Sequence, residues 1–221
     1  MSISVVVPTL IRTNKHLSLT ARCLEKARHF TKIPFELVIV ETETEYLEDY
    51  ADVYIHEEVK TTASKSINRG FHACTGDYIC LLTNDVLVAP SWLDYMLECF
   101  SKKADCGIAT LATTQFRHKQ EDKIEEGVWF SVAMFRKQDE YFGESYENSW
   151  DDTDFIMRQY IEGKKSYRNY NCVVGHNPGQ TAYADPRHRE IYNRNSEYFK
   201  EKFAKYKEMD IYQKLTSETV F

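Results

Sequence analysis

Four short runs of apolar, mostly β-branched residues open this chain, and the stretches between them change to helical spacing. ISVVVP at 3–8, FELVIV at 35–40 and DYICLL at 77–82 read as buried strands, and VYIHEEV at 53–59 holds a shorter one. Between the first two, LSLTARCLEKARHF at 17–30 sets Leu17, Ala21, Leu24 and Ala27 on one helical face. TTASKSINRGFHAC at 61–74 reads as a helix that kinks or ends near Gly70. Pro90 stands at the start of another, SWLDYMLECF, whose Leu93, Met96, Leu97 and Phe100 make an apolar side. Strands alternating with helices in this way predict an α/β fold whose mostly parallel sheet is covered on both faces.

The second half is less regular. CGIATLATTQF at 106–116, EGVWFSVAMFR at 126–136 and SYRNYNCVV at 166–174 read as strands. WDDTDFIMRQYIEG at 150–163 is a helix with acidic residues at its start and Gly163 at its end. From Pro186 the composition turns charged and aromatic, and Tyr198, Phe199, Phe203, Tyr206 and Met209 are expected to line one docked helix. With no internal repeat and no low-complexity linker, the simplest division is one domain over 1–185 and a helical extension over 186–221.

Of 221 residues, 28 are Lys or Arg and 34 are Asp or Glu, and the basic ones form no tract. That argues against gripping a nucleic acid backbone as the main task. The six cysteines form no CxxC pair and fall among apolar residues, as small core hydrophobes of a reduced cytoplasmic protein would. No apolar segment approaches the roughly 20 residues a bilayer span needs. The chain enters SISVVVPTL directly, with neither a charged leader nor a signal-peptide core. Membrane contact is therefore expected to be peripheral or through a partner. The first strand–helix turn, VPTLIRTNKH, has no glycine, against a Rossmann dinucleotide site, and GxxxxGK[ST] is absent.

Polar chemistry gathers where strands end. The strand of GDYICLLTNDVLV stops at Thr83–Asn84–Asp85, and in an open α/β sheet ligands gather beyond the carboxyl ends of strands. Asp151, Asp152 and Asp154 begin a helix, and His176 sits in GHNPG. Each also has a structural explanation. Asp85 can cap a turn, the acids favour the positive end of a helix with Asp154–Arg158 as an i,i+4 pair, and His176 fits an exposed loop.

The ordered set VVVPTL, ELVIVE, NRGFHACTGDYICLLTNDVLVAPSWL, GVWFSVAMFR, WDDTDFIMRQYIEGKK and GHNPGQT resembles the inverting GT-A glycosyltransferases of family 2 over about residues 2–181. The resemblance implies a GT-A fold, with a nucleotide-sugar half at about 1–105 and an acceptor half at about 106–185. It implies that Asp85 is the last aspartate of a DxD motif and a metal ligand, with Thr83 in place of the first, and that His176 completes the metal shell. Mn²⁺ suits a carboxylate–imidazole pair better than Mg²⁺, which remains possible. Asp152 carries over as the general base, with Asp151 as the alternative. Asp154, Trp129 and Trp150 are implied acceptor or sugar contacts, though the two tryptophans serve equally as core. Thr9, Glu41, Asp52, Lys65, Asn68, Asn84 and Asp85 carry over to the nucleotide end. Asn177, Gly179, Gln180 and Thr181 stand ready for phosphate oxygens. The implied activity moves a sugar from a nucleoside diphosphate, first UDP, to a glycan or glycoconjugate hydroxyl. Two rivals remain: a sugar-1-phosphate nucleotidyltransferase, whose Gly- and Lys-rich first loop is missing here, and a noncatalytic carbohydrate- or nucleotide-binding module.

Overall fold

The computed structural model describes residues 1–114, 123–128, 130–177 and 186–217. Strands β1 (Ile3–Leu10), β2 (Glu36–Thr42), β3 (Val53–Glu57) and β4 (Tyr78–Leu82) run parallel in the order β3-β2-β1-β4. Helix α1 (Asn14–Phe30) makes the first crossover, and α2 (Ala63–Ala73) leads from β3 to β4. After β4 come β5 (Val86–Leu87), α3 (Trp92–Lys102), β6 (Cys106–Thr113), β7 (Ile124–Glu126) and β8 (Val132–Arg136). The chain continues through α4 (Asp151–Ile161), β9 (Lys165–His176), α5 (His188–Lys202) and α6 (Asp210–Thr216). The sheet extends as β4-β8-β6-β9-β5, with β8 antiparallel to both neighbours, β6 and β9 parallel, and β7 paired to β9.

Alternation along the strands sorts the core into two layers. Val5, Val7, Leu37, Ile39, Cys80 and Leu82 face α1 and α3, where Cys23, Leu24, Trp92 and Met96 meet them. Val6, Val38, Ile79 and Leu81 face the opposite way, onto Ile67 and Phe71 of α2, Phe155 of α4 and Phe199 of α5. All six cysteines are buried and unpaired.

Three sequence expectations change. Helix α2 runs through Gly70 without a break, because that glycine is the contact with the sheet. A Cβ there would lie 2.4 Å from Val6 Cγ1 and 3.0 Å from Val40 Cγ2. The single strand expected over 126–136 is two, since Gly127 donates its N–H to the Ser166 carbonyl at the β9 side while β8 enters between β4 and β6. The apolar run persists across the break because Val128 and Phe130 fill the second core layer. The aromatic C-terminal helix is also interrupted. Helix α5 ends at Lys202, a 3₁₀ turn covers Ala204–Tyr206, and Tyr198 is 40% exposed while Phe199 and Phe203 are buried.

Candidate active site at the carboxyl edge

Parallel strands β1, β2, β3 and β4 end on one edge, and two groups of polar side chains assemble there. The first is made by backbone pairing. Strand β5 lies antiparallel to the end of β9, with Val86 opposite His176 and Leu87 opposite Gly175. This ladder brings Asp85, the residue before β5, against His176, and Asn177 N–H closes it onto the Asp85 carbonyl at 3.2 Å. Asp85 Oδ1 lies 3.6 Å from His176 Nε2, too far for a hydrogen bond, with the side chains only 17% and 16% exposed. That oxygen is buried and has no hydrogen-bond partner among the described residues. Burial depresses the His176 pKa below its usual range, against the pull of Asp85, so the imidazole is neutral at pH 7. A neutral imidazole facing an uncommitted carboxylate oxygen is the donor set a divalent cation takes. Among the described residues no third His, Cys, Asp or Glu joins them, so such an ion would draw its other ligands from water and substrate oxygens.

The neighbours of Asp85 serve the scaffold. Thr83 donates its hydroxyl to the Ser131 carbonyl at 3.0 Å, and Asn84 donates to Thr20 Oγ1 of α1 at 2.9 Å. The position where a second DxD carboxylate is expected thus anchors the segment entering β8.

The second group begins α4. Helix α2 starts just after β3, so its first turn lies on the carboxyl edge, and Ser64 there donates to Asp151 Oδ2 at 2.9 Å. Burial first, then the charge of Asp152, push the Asp151 carboxyl up to about 7. Asp152 is half-buried and its pKa is also raised by burial, against two stabilising contacts from Thr153. The Thr153 N–H and hydroxyl both bond Oδ1, at 2.7 and 3.2 Å, leaving Oδ2 without a described partner. The pair therefore offers one partly accessible carboxylate of raised basicity beside a buried one.

Several sequence-derived candidates find other work. Asp154 is 0% exposed and bonded to Tyr146, Arg158 and Lys202, which ties it into the framework that orients α4. Trp150 is 4% exposed, with Tyr192 and Phe199 at ring distances of 5.5 and 5.1 Å; it is core rather than a sugar platform. Glu41 is fully buried, and its carboxylate accepts from Thr44 Oγ1, Tyr46 N–H, Leu47 N–H and Tyr54 OH. These contacts build its own loop. Asp52 stands at the opposite edge of the sheet, ahead of β3, where it takes Leu37 N–H at 2.7 Å and Arg28 at 2.8 Å. Asn68 spends both ends of its amide on the Phe142 backbone, at 2.9 and 3.0 Å, fixing the loop before α4.

Thr9 is at the carboxyl edge opposite Glu41, buried, with its hydroxyl given to the Val40 carbonyl at 3.3 Å. Lys65 is exposed in the first turn of α2 and makes no ion pair among the described residues, which leaves its ammonium available to a phosphate. Trp129, Gly179, Gln180 and Thr181 lie outside the described residues. Sequence reasoning missed Ser64, Asn195 and Lys202, which hold the α4 start from two helices and carry no motif of their own.

The sequence profile described as glycosyl transferase family 2 matches residues 4–150. No curated protein matches the chain significantly. Among solved structures, the fold is similar to the mannosyltransferase PcManGT from Pyrobaculum calidifontis in complex with GDP-Man and Mn²⁺, at TM-score 0.63 and 14% identity over 92% of this chain. It is also similar to residues 1–349 of S. aureus TarS, at TM-score 0.57 and 15% identity over 90% of this chain. The matches cover 63% and 66% of those two chains, so this chain spans less than two thirds of either.

Proposed function

The chain belongs to glycosyl transferase family 2 and has the GT-A fold, and from that premise we propose a glycosyltransferase that carries out metal-dependent, inverting transfer from a nucleoside-diphosphate sugar to a glycan or glycoconjugate hydroxyl. The donor we assign first is a UDP-sugar. The observation that carries the reading is the joint presence, on one sheet edge, of the Asp85–His176 pair with its uncommitted oxygen and the raised-pKa carboxylates of α4.

Residues 1–105 form the donor half in this reading, residues 106–185 the acceptor half, and α5 and α6 the extension. Asp85 and His176 would hold Mn²⁺ in preference to Mg²⁺. A bound divalent cation supplies charge neutralisation at the departing diphosphate. Lys65 adds a second positive charge on the donor side, at the positive end of α2. Asn177 lies next to the metal ligands and is placed to meet phosphate oxygens.

Asp152 Oδ2 takes the proton of the acceptor hydroxyl as that oxygen attacks the anomeric carbon opposite the leaving diphosphate. Carboxylate basicity matters here, since transfer is most efficient when the base titrates near the working pH. Burial supplies that elevation, and Thr153 fixes the carboxylate by its other oxygen. Asp151, held by Ser64, keeps the pair's charge low by retaining a proton near neutrality.

The test is a panel of UDP-sugars and GDP-mannose, assayed for Mn²⁺-dependent donor hydrolysis and then transfer, with product stereochemistry read by NMR. GDP-mannose belongs in the panel because the P. calidifontis structure was solved with it. An inverted product with release of nucleoside diphosphate is expected. Retention would overturn the mechanism, and pyrophosphate release from UTP with a sugar 1-phosphate would favour a nucleotidyltransferase. Tight binding of the donors with neither hydrolysis nor transfer would favour a binding module.

A further inference from the structure

The first turn of α4 carries three carboxylates, and the third is neutralised from the far end of the chain. Asp154 accepts from Arg158 Nε at 2.8 Å on its own helix, and from Tyr146 OH at 2.9 Å and Lys202 Nζ at 2.5 Å. Lys202 is the last residue of α5. The same helix grips the segment leading into α4. Asn195, 2% exposed, donates its Nδ2 to the carbonyls of Glu147 and Ser149, both at 3.0 Å, while Arg187 and Arg194 hold the Glu147 carboxylate at 3.2 and 2.7 Å. A carboxylate with no solvent access keeps its charge only when cations and donors surround it. Arg158 alone would leave Asp154 Oδ2 with a single neutral hydroxyl.

We propose that Lys202 is a positioning residue for sugar transfer: its ion pair with Asp154 fixes the first turn of α4 and shields Asp151 and Asp152 from a third negative charge. This rests on the reading of Asp152 as base. The family profile ends at residue 150, so neither the acidic turn nor α5 lies within the matched region.

The charged and hydroxyl groups gathered around the first turn of α4 can be named element by element. On α4 they are Asp154 and Arg158, and from α2 Ser64 contributes a hydroxyl. The preceding loop brings Tyr146 and Glu147, the latter neutralised by Arg187 and Arg194. Helix α5 brings Tyr192, whose pKa is raised by burial and then by the charge of Asp152, together with Tyr198 beside Tyr146, and Lys202. Lys202 is therefore a cation on α5 aimed at the acidic turn itself. Removing it raises negative potential at the turn, which favours the protonated carboxyls and moves their titration to higher pH.

The experiment uses the full chain with Lys202→Met, Lys202→Gln and Lys202→Arg, and needs no acceptor for its first readout. The carboxyl carbons of Asp151 and Asp152 are titrated by ¹³C NMR in the free protein, and Mn²⁺–UDP binding is measured by calorimetry. In the Met and Gln variants the carboxyl midpoints should rise by roughly 0.5–1 pH unit, with Mn²⁺–UDP affinity as in the wild type. With the donor–acceptor pair found by the panel, the acid limb of the kcat profile should move up by the same amount and donor KM should stay. Lys202→Arg should restore both. Unmoved midpoints and an unmoved limb in folded Met and Gln variants would overturn the proposal. So would loss of the fold in both with a normal Arg variant, which would make the pair a stabilising contact only. Full turnover in Asp152→Asn would instead overturn the base assignment, while the carboxyl titration would still judge Lys202.

Discussion

Asp151→Asn should make the protein more stable, and increasingly so as the pH rises. The wild-type carboxyl is buried beside Asp152 and titrates at about 7, against an ordinary value of 3.8. Between those two pH values the folded chain holds a proton that the unfolded chain has released. Stability is thus fully present below the unfolded pKa and is lost as pH climbs through the folded one. At about 1.4 kcal/mol per pH unit, the loss reaches about 4 kcal/mol at pH 8, of which about 2.5 kcal/mol accrues between pH 5 and pH 8. Asparagine has nearly the same shape, carries no charge, and its Oδ1 can keep the hydrogen bond from Ser64. Urea unfolding of both proteins at pH 5 and pH 8, at matched ionic strength, measures the difference directly. The gain in the variant should be larger at pH 8 by about 2 kcal/mol or more. An equal gain at both pH values, or a variant less stable than wild type at pH 8, would refute the argument that burial of this carboxyl is what raises its pKa.

Asp152→Asn keeps the Oδ1 contact with Thr153 but removes the proton acceptor, so saturated transfer should fall by roughly 10²–10⁴-fold with Mn²⁺–UDP affinity intact. Near-normal turnover there, with collapse in Asp151→Asn, would move the base to Asp151. Asp85→Ala and His176→Ala should each weaken Mn²⁺–UDP binding by at least about 10-fold, in line with loss of a ligand from a small donor set. Unchanged calorimetric binding in both would dismiss the metal site. Gly70→Ala should destabilise the fold by about 1–2 kcal/mol, because overpacking against Val6 and Val40 outweighs the alanine's helix preference of about 1 kcal/mol. A raised unfolding midpoint would count against close helix–sheet contact at that position.

The parallel α/β sheet was legible in the sequence because apolar runs and helical spacing alternate there without ambiguity. The nearness of Asp85 and His176 was legible only through resemblance, since nothing in their spacing reveals that β5 and β9 are partners. Asp52 misled because distance along the chain does not say which edge of a sheet a residue reaches, and the 3₁₀ turn at Glu48–Tyr50 places it ahead of β3 rather than beyond β2. Glu41 does sit at the expected strand end, but its carboxylate accepts from donors three, five, six and thirteen residues on that no motif encodes. Lys202 and Asn195 belong to a stretch whose charge reads as solvated surface. Their roles appear only once α5 lies against the acidic loop.

The two-residue ladder between β5 and β9 also imposes an order of assembly. Asp85 leaves the ribosome with the fourth strand, whereas His176 ends β9, the last strand among the described residues, and sits at the sheet's outermost pairing. A nascent chain can complete β1 to β4 well before His176 exists. The approach of Asp85 to His176 thus waits on the pairing of β5 with β9 at one end of the sheet.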